Sequence, residues 1–183
     1  MSSETATVAD ILVQLGLDAD PFQAAERSGR WWHFDALGLK IPCYNFSWRK
    51  KALPFHDLHH AVTGYPCSMR GEMQVATWEF AAGRFPNLCS NLFCLPLVAA
   101  GVCFIPIKTF AAFRSGRRST SLFGKFLGLS AGGMPVSVLR SVALDQRVAN
   151  SIALDLLSFV GLAALSAIFI LMPVAIVMAA TGF

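Results

Sequence analysis

Two long stretches without a charged residue most constrain what this chain can fold into. One comprises residues 85–107 and the other residues 156–183. A helix needs about 20 apolar residues to cross a bilayer, so either stretch is long enough. The mean hydropathy is +0.54 and 55% of the residues are apolar, whereas an ordinary soluble domain is about 45–50% apolar. The chain is therefore predicted to associate with a membrane.

The two stretches lead to different predictions. Residues 85–107 are interrupted by three prolines, so a membrane-dipping segment and a full span both remain open. Residues 148–183 are predicted to form a C-terminal transmembrane anchor. Asp155 is expected at the edge of this anchor, because an aspartate at the middle of a bilayer costs about 2.5–3.5 kcal/mol.

Charge is distributed unevenly along the chain. Residues 1–84 carry eight Lys/Arg and nine Asp/Glu, whereas residues 108–147 carry seven Lys/Arg and a single acid, Asp145. The basic segment is predicted to be an amphipathic loop in the membrane interface, with arginines among the lipid phosphates. Its apolar residues would face the lipid: Phe110, Phe113, Leu122, Phe123, Phe126 and Leu127. No nucleic-acid-binding motif accompanies this charge, so a nucleic-acid partner is not expected.

Residues 1–84 are predicted to be a cytosolic helical region. Apolar spacing predicts a helix over residues 8–17, and a proline at the first turn predicts another over 21–27. Residues 41–46 are expected to be extended or loop. The N-terminus is polar and acidic and lacks the features of a signal peptide. The region is therefore expected on the cytoplasmic (or matrix) side of the membrane, together with the basic loop.

A helical hairpin is predicted between residues 54 and 84. Pro54 is suited to open a helix that runs to about residue 63, and Gly64-Tyr65-Pro66 is a break. A second helix is expected over residues 68–82. These helices, the interfacial segment and the anchor predict an all-α fold.

Metal-ligating residue types are concentrated on this hairpin. His56 and His60 lie one helical turn apart, and Asp57 falls about 60° from His60 around the helix axis. Glu72 joins them if the second helix folds back across the break. Two imidazoles with carboxylates suit a divalent metal, with zinc favoured here and iron(II) as the alternative. The predicted metal ligands are therefore His56, Asp57, His60 and Glu72.

Four further residues are candidates for function. Glu79, seven residues after Glu72, either orients a ligand histidine or is a solvated acid. His59 either shuttles a proton near neutral pH or is a solvated or supporting histidine. Arg70 either pairs with a substrate carboxylate or contacts lipid phosphate. His33, beside two tryptophans, belongs either to a pocket for an aromatic ring or to an aromatic cluster in the core.

The sequence of the predicted hairpin resembles a known family motif. The pattern His-Asp-x-x-His followed by Glu72 after eleven residues resembles the motif of the coenzyme Q biosynthesis protein four family. Residues 64–72 are similar to that family's G-x-P-x-x-x-x-G-E segment, and Trp78-Glu79-Phe80 and Arg84-Phe85-Pro86 stand where the family has related stretches. The resemblance covers residues 54–95, and the chain would be a divergent, membrane-anchored member.

The resemblance implies an all-helical fold that binds a divalent metal through His56, Asp57, His60 and Glu72. It also implies a lipid-tailed quinone precursor as substrate, partners among other quinone-biosynthesis proteins, and oxidative decarboxylation at ring carbon one of a prenylated hydroxybenzoate. Two non-enzymatic alternatives remain open. The hairpin could bind a lipid or quinone around a structural metal, or the basic loop and tail could form a membrane scaffold. A membrane di-iron hydroxylase is excluded, because the chain has only four histidines.

Overall fold

The protein is mainly helical. The structure, a computed structural model, describes residues 6–36, 39–123, 125 and 131–181. Within these residues the predicted all-α class is confirmed, although one two-stranded sheet is also present. The elements are α1 (Val8–Gln14), α2 (Pro21–Arg27), β1 (Trp31–Ala36), β2 (Leu39–Tyr44), α3 (Ser47–Thr63), α4 (Met69–Ala82), α5 (Leu88–Phe104), α6 (Pro106–Arg118), α7 (Val136–Ala143) and α8 (Ile152–Thr181).

The N-terminal elements follow from local signals. The predicted helix over residues 21–27 is confirmed as α2, and Asp20 caps it by accepting a hydrogen bond from the backbone N–H of Gln23 at 3.1 Å. The β-hairpin pairs β1 with β2 in antiparallel register, with Trp31 opposite Tyr44. No partner strand was predicted for the extended segment. His33 lies in β1 with its side chain exposed, so it is part of neither a pocket nor a core cluster.

The predicted helical hairpin is present, but α3 begins at Ser47 and not at Pro54. Pro54 lies inside α3, so the helix carries seven more residues ahead of the histidines than predicted. Gly64 ends α3 with a φ of 73°, a left-handed conformation that glycine adopts without steric cost. Ser68 then caps α4.

The turn between α3 and α4 is tightly packed. A Cβ placed on Gly71 would lie 1.7 Å from the carbonyl oxygen of Pro66. Only glycine therefore fits where the first turn of α4 packs against the turn that follows α3. Because Gly71 holds α4 against this turn, the next residue, Glu72, is brought back toward α3. The fold-back that the site requires is therefore built into the hairpin itself.

A buried core surrounds α3 and α4. One cluster joins α1, α3 and α7 and consists of Val8, Leu12, Phe55, Leu58, Ala61, Val62, Leu122, Val136, Leu139 and Ala143. On the other side α4 packs against α6, where a Cβ on Gly116 would lie 2.4 Å from the carbonyl oxygen of Trp78. The hairpin is thus enclosed by neighbouring helices, and its polar side chains are held in a low-dielectric environment.

The basic segment 108–147 contains two helices and is not a continuous loop, and its place in the membrane interface stays a prediction. Residues 106–118 form α6 and residues 136–143 form α7. Phe113, in α6, packs in the cluster that includes Phe159 and Leu162 of α8, and Leu122, which follows α6, packs in the cluster around α3. Both side chains are therefore buried in the protein and do not face lipid. Phe126 and Leu127 lie outside the described residues.

Two apolar helices have the composition of membrane segments. Residues Ile152–Pro173 of α8 have a mean hydropathy of 2.3, and α8 is the one helix of the described residues that is long and apolar enough to cross a membrane. Helix α5 spans 17 residues, fewer than the about 20 that a span requires. The chain turns at Ile105 into α6, so residues 85–107 do not form one continuous helix. A membrane-dipping α5 stays a prediction.

Candidate metal centre

Three of the four predicted ligands converge between α3 and α4. The Nε2 atoms of His56 and His60 are 3.2 Å apart. The carboxylate of Glu72 places Oε2 3.1 Å from Nε2 of His56 and Oε1 3.2 Å from Nε2 of His60. This His56–His60–Glu72 group can hold a metal ion.

Hydrogen bonds on the far side of each ring assign the histidine tautomers. The carbonyl oxygen of Tyr65 lies 2.9 Å from Nδ1 of His60 and can only accept, so Nδ1–H donates. Likewise, Oε1 of Glu79 lies 3.0 Å from Nδ1 of His56. With both protons on Nδ1, the Nε2 lone pairs of the two histidines and the Glu72 carboxylate face one another. All three are hydrogen-bond acceptors, and none of them supplies a donor. Such an arrangement requires a cation, either a proton or a metal.

The spacing of these atoms fits a metal. Zinc binds histidine nitrogen and carboxylate oxygen at about 2.0–2.2 Å, which puts two ligands of a tetrahedral site about 3.3 Å apart. The separations of 3.1 to 3.2 Å agree with that value. Three protein ligands leave a coordination position open, which is typical of catalytic sites, whereas structural zinc sites are closed by four. Iron(II) also accepts two histidines and one carboxylate.

The electric field of the site attracts a positive charge. Burial alone lowers the pKa of His56, but the carboxylates of Glu79 and Glu72 outweigh burial and hold it well above its ordinary value. Burial alone raises the pKa of Glu72, but hydrogen bonds with His56 and His60 hold it well below its usual range. Ionised Glu72 and the His56–Glu79 pair therefore favour a bound cation over an empty, neutral site.

Glu79 orients His56. Its side chain is fully buried, and Oε1 accepts hydrogen bonds from Nδ1 of His56 at 3.0 Å and Nδ1 of His59 at 2.7 Å. Burial raises its pKa, but the two histidines outweigh burial and bring it to about 2. The solvated-acid alternative is therefore wrong. A carboxylate behind a ligand histidine fixes the ring and makes it a better donor to metal.

His59 supports this arrangement from the core. Its Nδ1–H donates to Glu79, and its Nε2 accepts the backbone N–H of Leu122 at 3.0 Å. Burial lowers the pKa of this ring, which is fully enclosed. Both ring nitrogens of His59 are engaged in these hydrogen bonds, which favours the supporting alternative over the proton shuttle. His59 instead positions Glu79 and ties the chain near Leu122 to α3.

Asp57 does not join the ligand group of the described residues. It points into an adjacent cavity of about 300 Å³, whose wall also includes His56 and Glu72. Burial raises the pKa of Asp57 to about 6. The one-residue offset from His56 explains the difference, since consecutive helical residues diverge by about 100° and the two side chains face different neighbours.

This cavity is mainly apolar and aromatic. Apart from the residues near the ligands, its wall includes Trp32 from the β-hairpin, Trp48 from α3, and Phe93 and Leu97 from α5. Trp48 and Phe93 lie with their ring centroids 6.0 Å apart. Two members of the ligand group, His56 and Glu72, therefore adjoin a space suited to an apolar or aromatic molecule.

Arg49 is a cavity residue that sequence reasoning missed. Its guanidinium carbon lies 3.7 Å from the ring centroid of Trp32, and Nη1 donates to Oδ1 of Asn45 at 3.1 Å. Arg49 precedes His56 by seven residues, or two helical turns, so both share one face of α3. It escaped notice because α3 was expected to begin later. Arg70, the predicted substrate-binding residue, is exposed and does not line this cavity.

Comparison with known proteins adds no assignment. No family model, no curated protein and no solved structure matches this chain. The resemblance carried by residues 54–95 therefore stays a prediction.

Proposed function

We propose that this protein is a metal-dependent enzyme that oxidatively decarboxylates a lipid-tailed aromatic acid, a prenylated hydroxybenzoate, at ring carbon one. The observation that carries the proposal is the position of the His56–His60–Glu72 group at the wall of an aromatic cavity that also contains Arg49. The same cavity would therefore offer a metal with an open coordination position, the Arg49 guanidinium to bind a carboxylate, and an apolar wall to contact the substrate ring.

The cavity suits the proposed substrate in size and character. A buried space of about 150 Å³ holds benzene, so about 300 Å³ accommodates a substituted ring with the start of its tail. Trp32 and Trp48 provide flat surfaces for the ring. Phe93 and Leu97 lie on α5, an apolar helix, and provide a path for the tail toward the membrane.

Arg49 is the proposed partner of the substrate carboxylate. A guanidinium binds a carboxylate through two parallel hydrogen bonds, and burial strengthens the interaction. Its stacking on Trp32 and its hydrogen bond to Asn45 fix the direction of the guanidinium plane. Asp57, in the same wall, disfavours a second anion, which helps to orient the acid with its carboxylate toward Arg49.

The proposed reaction balances with dioxygen as the oxidant. The bond between ring carbon one and the carboxyl carbon breaks and releases CO₂, water supplies the new ring hydroxyl, and two electrons reduce O₂ to hydrogen peroxide. The metal would supply Lewis-acid stabilisation of the developing negative charge. His56, His60 and Glu72 would hold it, Glu79 would orient His56, and the apolar wall would limit water.

The same proposal covers the setting of the enzyme. Helix α8 would anchor it in a membrane with the metal centre on the cytoplasmic or matrix side, in contact with membrane lipids and other quinone-biosynthesis proteins. The metal would be zinc or iron(II), since the ligand set accepts both. Zinc supplies no electrons, so an oxidative reaction favours testing iron(II) beside it.

The test combines metal content with turnover. Detergent-purified wild type and His60→Ala are compared by elemental mass spectrometry, with His33→Ala as a matched control because His33 is exposed in β1. We expect about one zinc or iron per chain, lost only in His60→Ala. Zinc- and iron(II)-loaded proteins are then supplied with a prenylated hydroxybenzoate and oxygen, and the hydroxylated product is measured.

Two outcomes would overturn the proposal. Wild type without metal would remove its basis, and full turnover by Glu72→Ala would show that the centre does not catalyse the reaction. Metal binding with tight substrate binding but no turnover for either metal would favour the non-catalytic, lipid- or quinone-binding alternative.

A further inference from the structure

A second cavity lies at the C-terminal end of α4. It measures about 430 Å³ and is lined by the end of α4, the two residues that follow it, α6 and α8. Its wall is divided by character. Arg84, Arg117 and Ser158 are polar, whereas Phe113, Leu162 and Leu165 are apolar. No sequence feature predicted this space, because its residues come from three separate segments of the chain.

The polar and apolar parts of the wall are arranged along α8. Ser158 precedes Leu165 by seven residues, which corresponds to about 10 Å along a helix. The polar part is nearer the N-terminal end of α8 and the apolar part lies farther along it. Since Ile152–Pro173 is long and apolar enough to cross a membrane, Ser158 would lie about 9 Å inside the end of that segment that begins at Ile152, a depth from which arginine side chains can reach the bilayer surface.

The polar part carries excess positive charge. Asp155, almost completely buried in the first turns of α8, lies 3.2 Å from Nε of Arg114 and 3.6 Å from Nε of Arg117. One carboxylate thus serves two arginines. Among the described residues, no carboxylate forms an ion pair with Arg84, whose guanidinium lies 5.1 Å from the ring centroid of Phe80. Because Arg114 is not part of the wall, the two wall arginines and the shared Asp155 leave at least one positive charge uncompensated.

Space for a ligand is present beside α8. A Cβ placed on Gly161 would have no atom within 4 Å, so the helix surface is open where it faces the cavity. Gly161 lies between Ser158 and Leu162, at the boundary between the polar and apolar parts. A molecule with an anionic head and an apolar tail matches both parts, and the tail would run past Leu162 and Leu165.

We infer that this cavity binds one anionic membrane phospholipid, with its phosphate between Arg84 and Arg117 and an acyl chain along α8. Phosphate suits the site because guanidinium groups bind its oxygens through paired hydrogen bonds. The location at the level of the bilayer surface favours a lipid over a soluble phosphate, since basic pockets between helices at this depth meet lipid headgroups. The bound lipid would join α8 to the body of the protein.

Native mass spectrometry of the full-length, detergent-purified protein tests this inference. Phosphatidylglycerol and phosphatidylcholine with identical acyl chains are added, and retained lipid is counted as detergent is removed. Wild type is expected to retain one phosphatidylglycerol at least tenfold more strongly than phosphatidylcholine. Arg84→Gln removes the positive charge that pairs with no carboxylate of the described residues. Gly161→Leu fills the cavity while keeping the charges. Both variants are expected to lose the preference for phosphatidylglycerol.

Controls separate the cavity from general surface charge. Arg118→Gln removes the same charge one residue after Arg117, but Arg118 pairs with the exposed Asp145 outside the cavity, so retention should match wild type. Circular dichroism melting establishes that each variant is folded. Because leucine favours a helix more than glycine, Gly161→Leu should be at least as stable as wild type.

Three results would overturn the inference. The first is equal retention of both lipids by wild type, and the second is unchanged retention by folded Arg84→Gln and Gly161→Leu. The third is calorimetric binding of inorganic phosphate to wild type and Gly161→Leu alike, with no effect of added phosphatidylglycerol, which would assign the arginines to a soluble phosphate.

Discussion

The imidazole of His59 accepts a hydrogen bond at Nε2 from the backbone N–H of Leu122, 63 residues farther along the chain, at a distance of 3.0 Å. On its other side the same ring donates to Glu79. The ring thus connects a core segment to the carboxylate behind His56, and folding of the core and orientation of the metal centre depend on one side chain.

Replacing His59 is expected to destabilise the protein. In His59→Ala the N–H of Leu122 and the carboxylate of Glu79 each lose a partner inside the core, and each unsatisfied buried group costs about 1–3 kcal/mol. The free energy of unfolding should fall by about 2–5 kcal/mol. Denaturant melts of metal-free protein measure this, with the exposed His33→Ala as the control within about 0.5 kcal/mol of wild type. A loss below about 1 kcal/mol would contradict the core role.

Glu79→Gln is expected to weaken metal binding without removing a ligand. The amide is nearly the same size as the carboxylate, but it carries no charge and makes His56 a poorer donor. Losing such a supporting carboxylate typically costs 10–100-fold in metal affinity. Competition with a chromogenic chelator gives the affinity, and Glu26→Gln on the exposed side of α2 is the control. An unchanged competition curve for Glu79→Gln would show that Glu79 does not tune the centre.

Arg49→Lys is expected to raise KM for a prenylated hydroxybenzoate about tenfold while metal content stays unchanged. Lysine keeps the charge but has no planar group to stack on Trp32 or to bind a carboxylate through two bonds. The methyl ester of the same substrate offers no carboxylate, so its binding should be equal in both proteins. Arg30→Lys, exposed before β1, is the matched control. A similar loss for acid and ester would assign Arg49 to packing alone.

Gly71→Ala is expected to displace Glu72. The added Cβ would meet the carbonyl oxygen of Pro66 at 1.7 Å, so the start of α4 must shift, and Glu72 follows in the next position. Metal affinity and melting temperature should both fall. Gly133→Ala adds the same atom where no atom lies within 4 Å and is the control. Wild-type affinity in Gly71→Ala would show that the turn does not set the position of Glu72.

Adding a chelator tests whether the metal stabilises the fold. A ligand that binds only the folded protein raises stability by about 2.7 kcal/mol when its concentration is one hundred times its Kd. The melting temperature of metal-loaded wild type should therefore fall on chelation, whereas that of His60→Ala should not change. Equal shifts in both proteins would point to an effect of the chelator unrelated to this centre.

Much of the candidate site was predictable because the relevant information is local. His56 and His60 are four residues apart, and any helix places them one turn apart on one face. The break at Gly64-Tyr65-Pro66, followed by a second helix over residues 68–82, predicted a hairpin, and the hairpin brings Glu72 back. Asp57 was the weakest member of the predicted set, because helical spacing alone does not say which neighbour a side chain meets.

Other features required the packed structure. The engagement of Nε2 of His59 depends on Leu122, a residue with no sequence signal linking it to His59. Arg49 entered the cavity only because α3 begins at Ser47. Likewise, Asp155 was expected merely at the edge of an anchor, whereas its pairing with Arg114 depends on how α6 packs against α8.

The sequence by itself determined helices α1, α2 and α4, the ligand spacing on α3, the turn at Gly64 and the apolar length of α8, because each follows from residues close together in the chain. Tertiary structure alone decided which groups are buried, which ring nitrogen of each histidine carries the proton, and which residues surround the two cavities. Those properties arise where α3, α4, α5, α6 and α8 pack together, and contacts between distant segments leave no periodic pattern in the sequence.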